Sequence, residues 1–599
     1  MALTNHIVPD SPTNNFATLN SLDAESATLS NGNLTATINS GPNNSTTIVP
    51  LSGIWYWEVY ISDHTNIYIG IQKIETQASG FSQDAVAINN VGNIYFDASY
   101  QGIDALPSIA TGDIISVFWD IDNKKIWFAK NGQFYDATGT SHPTLTLSQV
   151  ASGVNGYDYS SNIPNGAKPF FGSSANSAGI ICNFGQDSTF AGIKSPTTTY
   201  PDANGIGSFY YQPPTDALAL CTANLPEMTP DVAGDVPQDY FKTVLWTGQT
   251  TGGDMTWDGT TGTVTVGFQP DLVWGKNRDF NNYNELTDSV RGATRSIYSN
   301  ETLSEGVDSE KLKSFDSNGF SIGNVPGYNR SGDKHVAWCW KAGGAPDLTS
   351  SPTKPFAKNG VQYETLSAAN ITAGTITPTA MSVNTDAGFS IVKYGVVNSV
   401  STIPHGLTKQ PEMIFFKNLN QSYNWSVYHK DLSSAAYVLI LNSNNAELNS
   451  NVQFNSTAPN ESVFTVGTGG NTNYVSSTSD NIIAYCWHSV EGYSKFGSFT
   501  SASGGVFVYL GFKPALIISK FNGTGHWNMY DNARQPFNTG SSNVLYPDLS
   551  NAEGSDSTIY NFEFLSNGFR SFGTGSTYNS GTHLFIAFAE QPFKYSNAR

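Results

Sequence analysis

Charge is scarce in this chain. Only 13% of its 599 residues are charged, and 29 Lys and Arg face 48 Asp and Glu, for a net charge of −19. Nucleic acid is held largely by Lys and Arg neutralising phosphates, so a chain without a basic cluster is expected to bind none. An anionic partner surface would have to be met by hydrogen bonds, aromatic stacking or bridging cations. No apolar run nears the roughly 20 residues that cross a bilayer, so no membrane insertion is expected. Heptads and sustained 3.6-residue periodicity are missing too. The opening MALTNHIVPDSPTNN has neither the basic start nor the apolar stretch of a secretion signal.

Chemistry-bearing motifs are equally thin. Cys182, Cys221, Cys339 and Cys486 lie far apart, without CxxC or metal-ligand spacing. The nine histidines show no i, i+4 pair, and no GxSxG elbow, P-loop or dinucleotide fingerprint sits in a strand-to-helix context. The expectation is therefore no catalytic residue, no metal and no cofactor. Histidine is expected at surfaces or interfaces, and cysteine as a small buried apolar residue.

What the chain does have is aromatic strands. Aromatics make up 13% of residues, amid abundant Gly, Asn, Ser and Thr, a composition for many short strands and an all-β fold. In Gly53 to Val59, GIWYWEV, the residues Trp55, Trp57, Val59 and Ile61 alternate with Tyr56, Glu58 and Tyr60, the period of a strand with one buried face. Ile115, Val117, Trp119 and Ile121 do the same. Asp122-Asn123 and Asn131-Gly132 then supply turn chemistry, since Asn, Asp and Gly tolerate positive φ. Inward aromatics from short strands build a two-sheet sandwich.

This stretch resembles the SPRY domain through Gly53, Trp55 to Val59, Gly112-Asp113, Asp120 to Asn123 and Lys130 to Gly132, with Pro169 to Gly185 as a closing hairpin. The resemblance implies a concanavalin-like sandwich that binds partners through loops and carries no catalytic centre.

Beyond it the chain repeats itself. Three segments open on a Pro-led apolar strand ending in lysine: Pro270 to Lys276, Pro411 to Lys417 and Pro514 to Lys520. Each closes on an aromatic strand, Val336 to Lys341, Ile483 to His488 and Ile586 to Gln591, which sets Ala589 opposite Cys339 and Cys486. Phe315 to Phe320 is echoed by Phe564 to Phe569 and, degraded, by Ser462 to Phe464. Repeats of this length point to copies of one β module strung along the chain. The expected order is a sandwich over 1–198, a linker over 199–238, module 1 over 239–344, a linker over 345–385, module 2 over 386–493 and module 3 over 494–599. The phrases GFQPDLVWGKN (Gly267 to Asn277), DSVRGAT (Asp288 to Thr294), SFDSNGFSIG (Ser314 to Gly323) and VAWCWKAGG (Val336 to Gly344) resemble a repeated domain in structural proteins of marine tailed phages, cyanophages among them. PDSPTNNFATLN (Pro9 to Asn20) is similar to N-termini of their SPRY-containing proteins.

That resemblance implies a non-enzymatic virion protein on the tail or capsid exterior: a tail fibre or adhesion appendage, or else a protein decorating the capsid. Its partners would be other virion proteins, a host surface glycan or protein, and copies of itself, with a trimer expected. The candidate recognition loop is Gly153 to Gly166, offering Tyr157 and Tyr159 beside Asp158, Asn155 and Asn162; flat aromatics next to amides suit a sugar or a protein, while the same tyrosines could instead pin the loop. Lys276, Lys417 and Lys520 read either as anion contacts or as residues that cap a strand edge or pair with a carboxylate within each module. A polysaccharide hydrolase is a third reading, needing two carboxylates about 5–10 Å apart; Asp120/Asp122 and Asp308/Glu310 are the pairs considered, the first also matching a turn.

Overall fold

The structure is a computed structural model that describes residues 14–595 other than 25–26, 40, 75, 77–83, 165, 175–177, 227–235, 249–255, 258–259, 262, 324, 474–479, 503, 539, 541, 557–560 and 574–580. The phrase from Pro9 lies outside them as far as Thr13, as does His6. The fold is almost entirely β, with only short helical turns. Two compact units are present: one reaches Pro226 and includes Phe593–Tyr595, and the other takes the rest of the chain to Pro592.

The first unit is a sandwich. Its larger sheet runs Ala27–Ser30, Thr35–Ile38, Ala178–Asn183, Ile54–Asp63, Ile114–Asp120, Lys125–Lys130, Gln133–Tyr135 and Thr144–Leu145; the facing sheet runs Gly41–Asn44, Ala167–Ser173, Ile67–Lys73, Ala85–Asn89, Asn93–Phe96 and Ser99–Asp104. Trp55, Trp57, Val59 and Ile61 point into the core between them, against Ile69, Ile71 and Ile88. Asn131 (φ 49°) and Gly132 (φ 82°) form the tight turn after Lys130, both at positive φ as such hairpins require.

The other face of strand Ile54–Asp63 departs from the expectation of a half-buried strand. Tyr56 and Glu58 are buried as well, because residues 199–225 are not a linker but a strap across the sheet. Leu218–Ala219 pairs in parallel with Trp55 and Tyr56, and Phe209, Ala217, Ala219 and Cys221 pack on Tyr56, Phe118 and Trp127. Glu58 is tied to this strap. Its Oε2 accepts from Tyr210 N (2.8 Å) and Asn183 Nδ2 (3.0 Å), and its Oε1 from Tyr211 N (2.8 Å) and Tyr56 OH (3.1 Å). Burial pushes its carboxyl up to about 7 against those four donors.

The second unit contains three larger sheets with one strand order. In the first, Phe241–Thr247, Lys334–Trp340, Leu272–Asn277, Glu285–Asp288 and Arg295–Tyr298 lie side by side; in the second, Phe389–Gly395, Asn481–Trp487, Met413–Asn418, Ser426–His429 and Tyr437–Ile440; in the third, Ser494–Thr500, Thr582–Pro592, Phe512–Phe521 and Trp527–Asp531. Neighbours are antiparallel throughout these runs. Each sheet carries a smaller one on its outer face; two of these contain the hairpins with Phe315 opposite Phe320 and Phe564 opposite Phe569.

Period-2 alternation sends the two faces of each sheet to different cores. Ala337 and Cys339 pack under the first small sheet, Ala484 and Cys486 under the second, Ala587 and Ala589 under the third. The opposite faces all enter one core: Val336, Trp338 and Trp340 meet Ile483, Tyr485 and Trp487, and Leu584, Ile586 and Phe588. Trp340 lies edge-on to both Trp487 (centroids 6.4 Å) and Phe588 (5.5 Å). The three sheets are therefore not strung along the chain; they enclose a shared interior.

One boundary and one register change with this arrangement. Within 345–385, Phe356–Lys358, Val361–Tyr363 and Ala380–Asn384 extend the second sheet, and Phe356, Leu366, Ile371, Met381 and Val383 are buried in its outer core, so the segment is folded rather than a linker. Register also moves the third aromatic strand by two residues. Cys339 faces Val273, Cys486 faces Ile414 and Ala587 faces Ile517, so Ala587, not Ala589, matches the two cysteines.

Truncation tests the strap. A fragment ending at Thr198 leaves Glu58 buried without the two backbone donors, a loss of about 1–3 kcal/mol for each unpaired group, and uncovers Tyr56 and Phe118. A fragment ending at Pro226 is expected to melt cooperatively by circular dichroism and the shorter one to melt far lower or not fold; equal melting would remove the strap from the domain.

Candidate functional site

The loop expected to recognise a partner is pinned. Tyr157–Asp158 forms a short strand on Lys125–Lys130, and Tyr157 and Tyr159 are 8% and 1% exposed, inside the sandwich core. Tyr159 OH accepts from Trp119 Nε1 (2.8 Å), and Tyr157 OH donates to Asn162 Oδ1 (3.1 Å). Asn155 sits at φ 52° and donates to Asp136 (2.5 Å), while Asp158 accepts from Ser160 N (2.9 Å). The five residues are close together, but the aromatic faces that recognition required are not presented. Replacing Tyr159 with Phe strands the Trp119 indole donor and is expected to lower stability by about 1–3 kcal/mol; denaturant unfolding reads this, and an unchanged stability would refute the pinned loop.

The three recurring lysines are buried, and among the described residues none has a carboxylate partner at hydrogen-bond distance. Lys276 donates to Asn282 O (2.5 Å) and Ser550 O (2.8 Å), Lys417 to Tyr423 O (2.6 Å) and Thr302 O (2.8 Å), and Lys520 to Phe521 O (2.5 Å) and Gly523 O (2.9 Å). Neither anion contact nor a carboxylate pair describes them. Lys276 and Lys417 each join two sheets, in a pattern that other residues at matching positions repeat. Asn284 of the first sheet donates to Leu549 O of the third (2.8 Å), Trp425 of the second to Tyr298 O of the first (2.8 Å), and Trp527 of the third to Ile440 O of the second (3.0 Å). Deeper in, Tyr485 OH donates to Asp288 (2.7 Å) and Trp338 Nε1 to Asp531 (3.1 Å). Each of those acids is also paired with a buried arginine, Asp288 with Arg291 (2.5 Å) and Asp531 with Arg534 (2.6 Å). The contacts run from the second sheet to the first, the first to the third and the third to the second. They close a ring.

Burial lowers Lys276 and Lys417 to about 7 and Lys520 to about 8, and a neutral amine can still serve both carbonyls with its two hydrogens. The unfolded chain keeps these protons to about pH 10.4. It therefore binds more protons than the folded state above about pH 7, and stability rises with pH there. The melting temperature of the full chain is expected to climb between about pH 7 and 9, and Lys417→Met to flatten the slope; a fall over that range would contradict the assignment.

Other candidates are also built into the fold. His335, His405, His429 and His488 are buried rather than superficial, each held down at about 4 by burial, and His335 stacks on Trp246 at 5.4 Å. All four cysteines are buried free thiols. Asp120 accepts from Asn123 N (2.9 Å) and shapes the turn, while Asp122 accepts from Gly53 N (3.0 Å) and ties that turn to the start of a neighbouring strand; Asp308 accepts from Glu310 N (2.9 Å). Among the described residues no group of His, Cys, Asp and Glu is placed to hold a metal ion.

Sequence reading missed a polar cleft of about 520 Å³ in the second unit. One wall comes from the first sheet: Tyr240, Gln269, Asp271 and the run Lys341 to Ala345. The other comes from the segment read as a linker, through Asn359, Gln362 and Asn384, and from Asp386 just beyond it. Asp271 is fully used, accepting from Ser289 Oγ (2.6 Å), Ala342 N (2.8 Å) and Gly344 N (3.1 Å), with burial raising its carboxyl to about 6. The Lys341 ammonium sits over the Tyr240 ring at 5.4 Å. Asn359-Gly360, both at positive φ, turn the hairpin that carries Gln362. That turn pair was the signal available in the sequence.

A family described as a domain of unknown function (DUF7483) matches residues 236–354 and 360–592, more than half of the chain. The chain belongs to the DUF7483 family. The SPRY family matches residues 54–149, so this DUF7483 member carries a SPRY domain ahead of its family region. Similar solved structures include the SPRY domain of human HERC1 (16% identity over 27% of this chain and 96% of that one, TM-score 0.21), a human SPRY domain (18%, 26% and 94%, 0.18) and the TRIM65 PSpry domain (12%, 28% and 93%, 0.21). No curated protein matches the sequence.

Proposed function

We propose that this DUF7483 protein is a non-enzymatic structural protein of a tailed-phage virion, exposed on the particle as a tail fibre or adhesion appendage that meets a host surface glycan or protein. The observation that carries the reading is the use made of the recurring residues. Lys276 and Lys417, the Asp–Arg pairs and the indoles at matching positions serve to lock three sheets together, as a durable scaffold needs. The resemblance of Gly267 to Asn277 and Val336 to Gly344 to repeats in phage structural proteins supplies the virion, and the SPRY domain supplies a module of a class that binds partners through loops.

Capsid decoration is the second reading, and the ring favours it. The aromatic faces of the three sheets are spent inside one chain, in the shared core, and so are not open for the trimer expected of a fibre. In this proposal the full chain is a monomer at micromolar concentration, which light scattering measures. Immuno-gold labelling of intact particles separates the readings: label on the tail supports the appendage, label over the head supports decoration, and label on neither rejects both.

A further inference from the structure

The ring has one conspicuous departure from its own pattern. The first and second larger sheets are joined through residues 345–385, which add the strands Phe356–Lys358, Val361–Tyr363 and Ala380–Asn384; the second and third are joined almost directly, with Val490 already bridged to Ser494 at the start of the next strand. Ala380–Asn384 and its neighbours complete the outer core. The tip of the hairpin does not. Asn359, Gly360, Val361 and Gln362 are exposed, and Asn359 and Gln362 stand over the cleft opposite Gln269 and Lys341.

We propose that this cleft is a binding site for an uncharged saccharide of two to four residues, an assignment that rests on the host-surface reading above and names a ligand class for it. The lining decides the class by what it fits. Purely apolar ligands need apolar walls, whereas here the amides of Gln269, Asn359, Gln362 and Asn384, one ammonium and the Asp386 carboxylate are mixed with the apolar surface of Tyr240, Ala342 and Ala345, as a sugar with polar edges and apolar faces requires. A strongly anionic ligand would meet Asp386 and the buried Asp271. A bare cation would meet Lys341. A polyhydroxylated neutral ligand suits all of them, because an amide offers donor and acceptor together and a hydroxyl answers both. Gln269 and the Lys341 ammonium have capacity to spare, since neither makes a side-chain hydrogen bond among the described residues, whereas Asn359 and Gln362 are held in place by Thr385 Oγ1 (2.7 Å) and Ala345 O (2.8 Å). The site thus has fixed walls and two side chains available to a ligand. Its volume falls within the few hundred Å³ usual for small-ligand sites.

The test is calorimetric titration of the full chain with neutral di- to tetrasaccharides of glucose, galactose, mannose and N-acetylglucosamine, at up to about 10 mM, a concentration that saturates any site with a Kd of about 1 mM or tighter. Binding by at least one is expected, with affinity reduced at least tenfold in Gln269→Ala/Gln362→Ala and in Lys341→Met while the melting temperature is unchanged. Failure of every sugar to bind overturns the site, as does binding that both variants leave intact. If a variant melts lower, protection of the wild-type hairpin 356–363 from hydrogen exchange by the bound sugar decides: protection supports the site, and none overturns it. Particle labelling stays independent, because a labelled tail without sugar binding rejects the cleft and keeps the virion reading, and sugar binding without label does the reverse.

Discussion

The second unit depends on one core that no single sheet could build. A β-strand sends alternate side chains to opposite faces, so a sheet buried on both sides needs two partners. The first two closing aromatic strands obtain them by giving small residues, such as Ala337 and Cys339, to their own outer sheets and large ones, such as Trp338 and Trp340, to the common interior, while the third sends Phe585 outward with Ala587. Large aromatics are worth more than their area when they meet edge to face, and Trp340 does so with one residue from each of the other two sheets. The polar contacts around this core then fix the order in which the sheets meet, because Trp425 and Trp527 each donate to a backbone carbonyl of a neighbouring sheet.

The ring also shows how far matching positions are allowed to differ. Asp288 and Asp531 each receive a donor from the next sheet, Tyr485 and Trp338. At the third junction the matching positions hold His429 and Ile586, as the registers of Met413 with His429 and of Ile518 with Ile586 show. An aliphatic side chain has replaced the donor and a neutral imidazole the acid. Exchanging both members together avoids the stranded buried charge that losing one alone would leave.

Much of this fold was legible in the sequence, and the failures share a cause. Inward alternation at Trp55, Trp57 and Val59 placed one core correctly, and Asn131-Gly132 placed a hairpin. Glu58 was expected to face solvent because a covering strap some 150 residues later leaves no local mark on the strand. Composition misled in the same way at 199–225 and 345–385, where Pro and Thr read as spacer while Phe209, Phe356 and Met381 were core. Tyr157 and Tyr159 carried the pattern of a contact loop, but a ring pointing inward and one pointing outward have the same letters. The lysines recurred in step with core anchors, and that periodicity, rather than their charge, was the informative property.

A closed ring has a consequence for how the chain comes to exist. The first sheet is complete once Trp340 has been made, yet its aromatic face meets Phe588 only when nearly all of the remaining chain is available. At ordinary synthesis rates that interval is roughly 10–50 s. During it, a row of tryptophans must stay uncovered or be covered by something else, and contacts so distant in sequence form slowly. Any product cut short within the third sheet would carry that unclosed aromatic face permanently, ready to adhere to another of its kind.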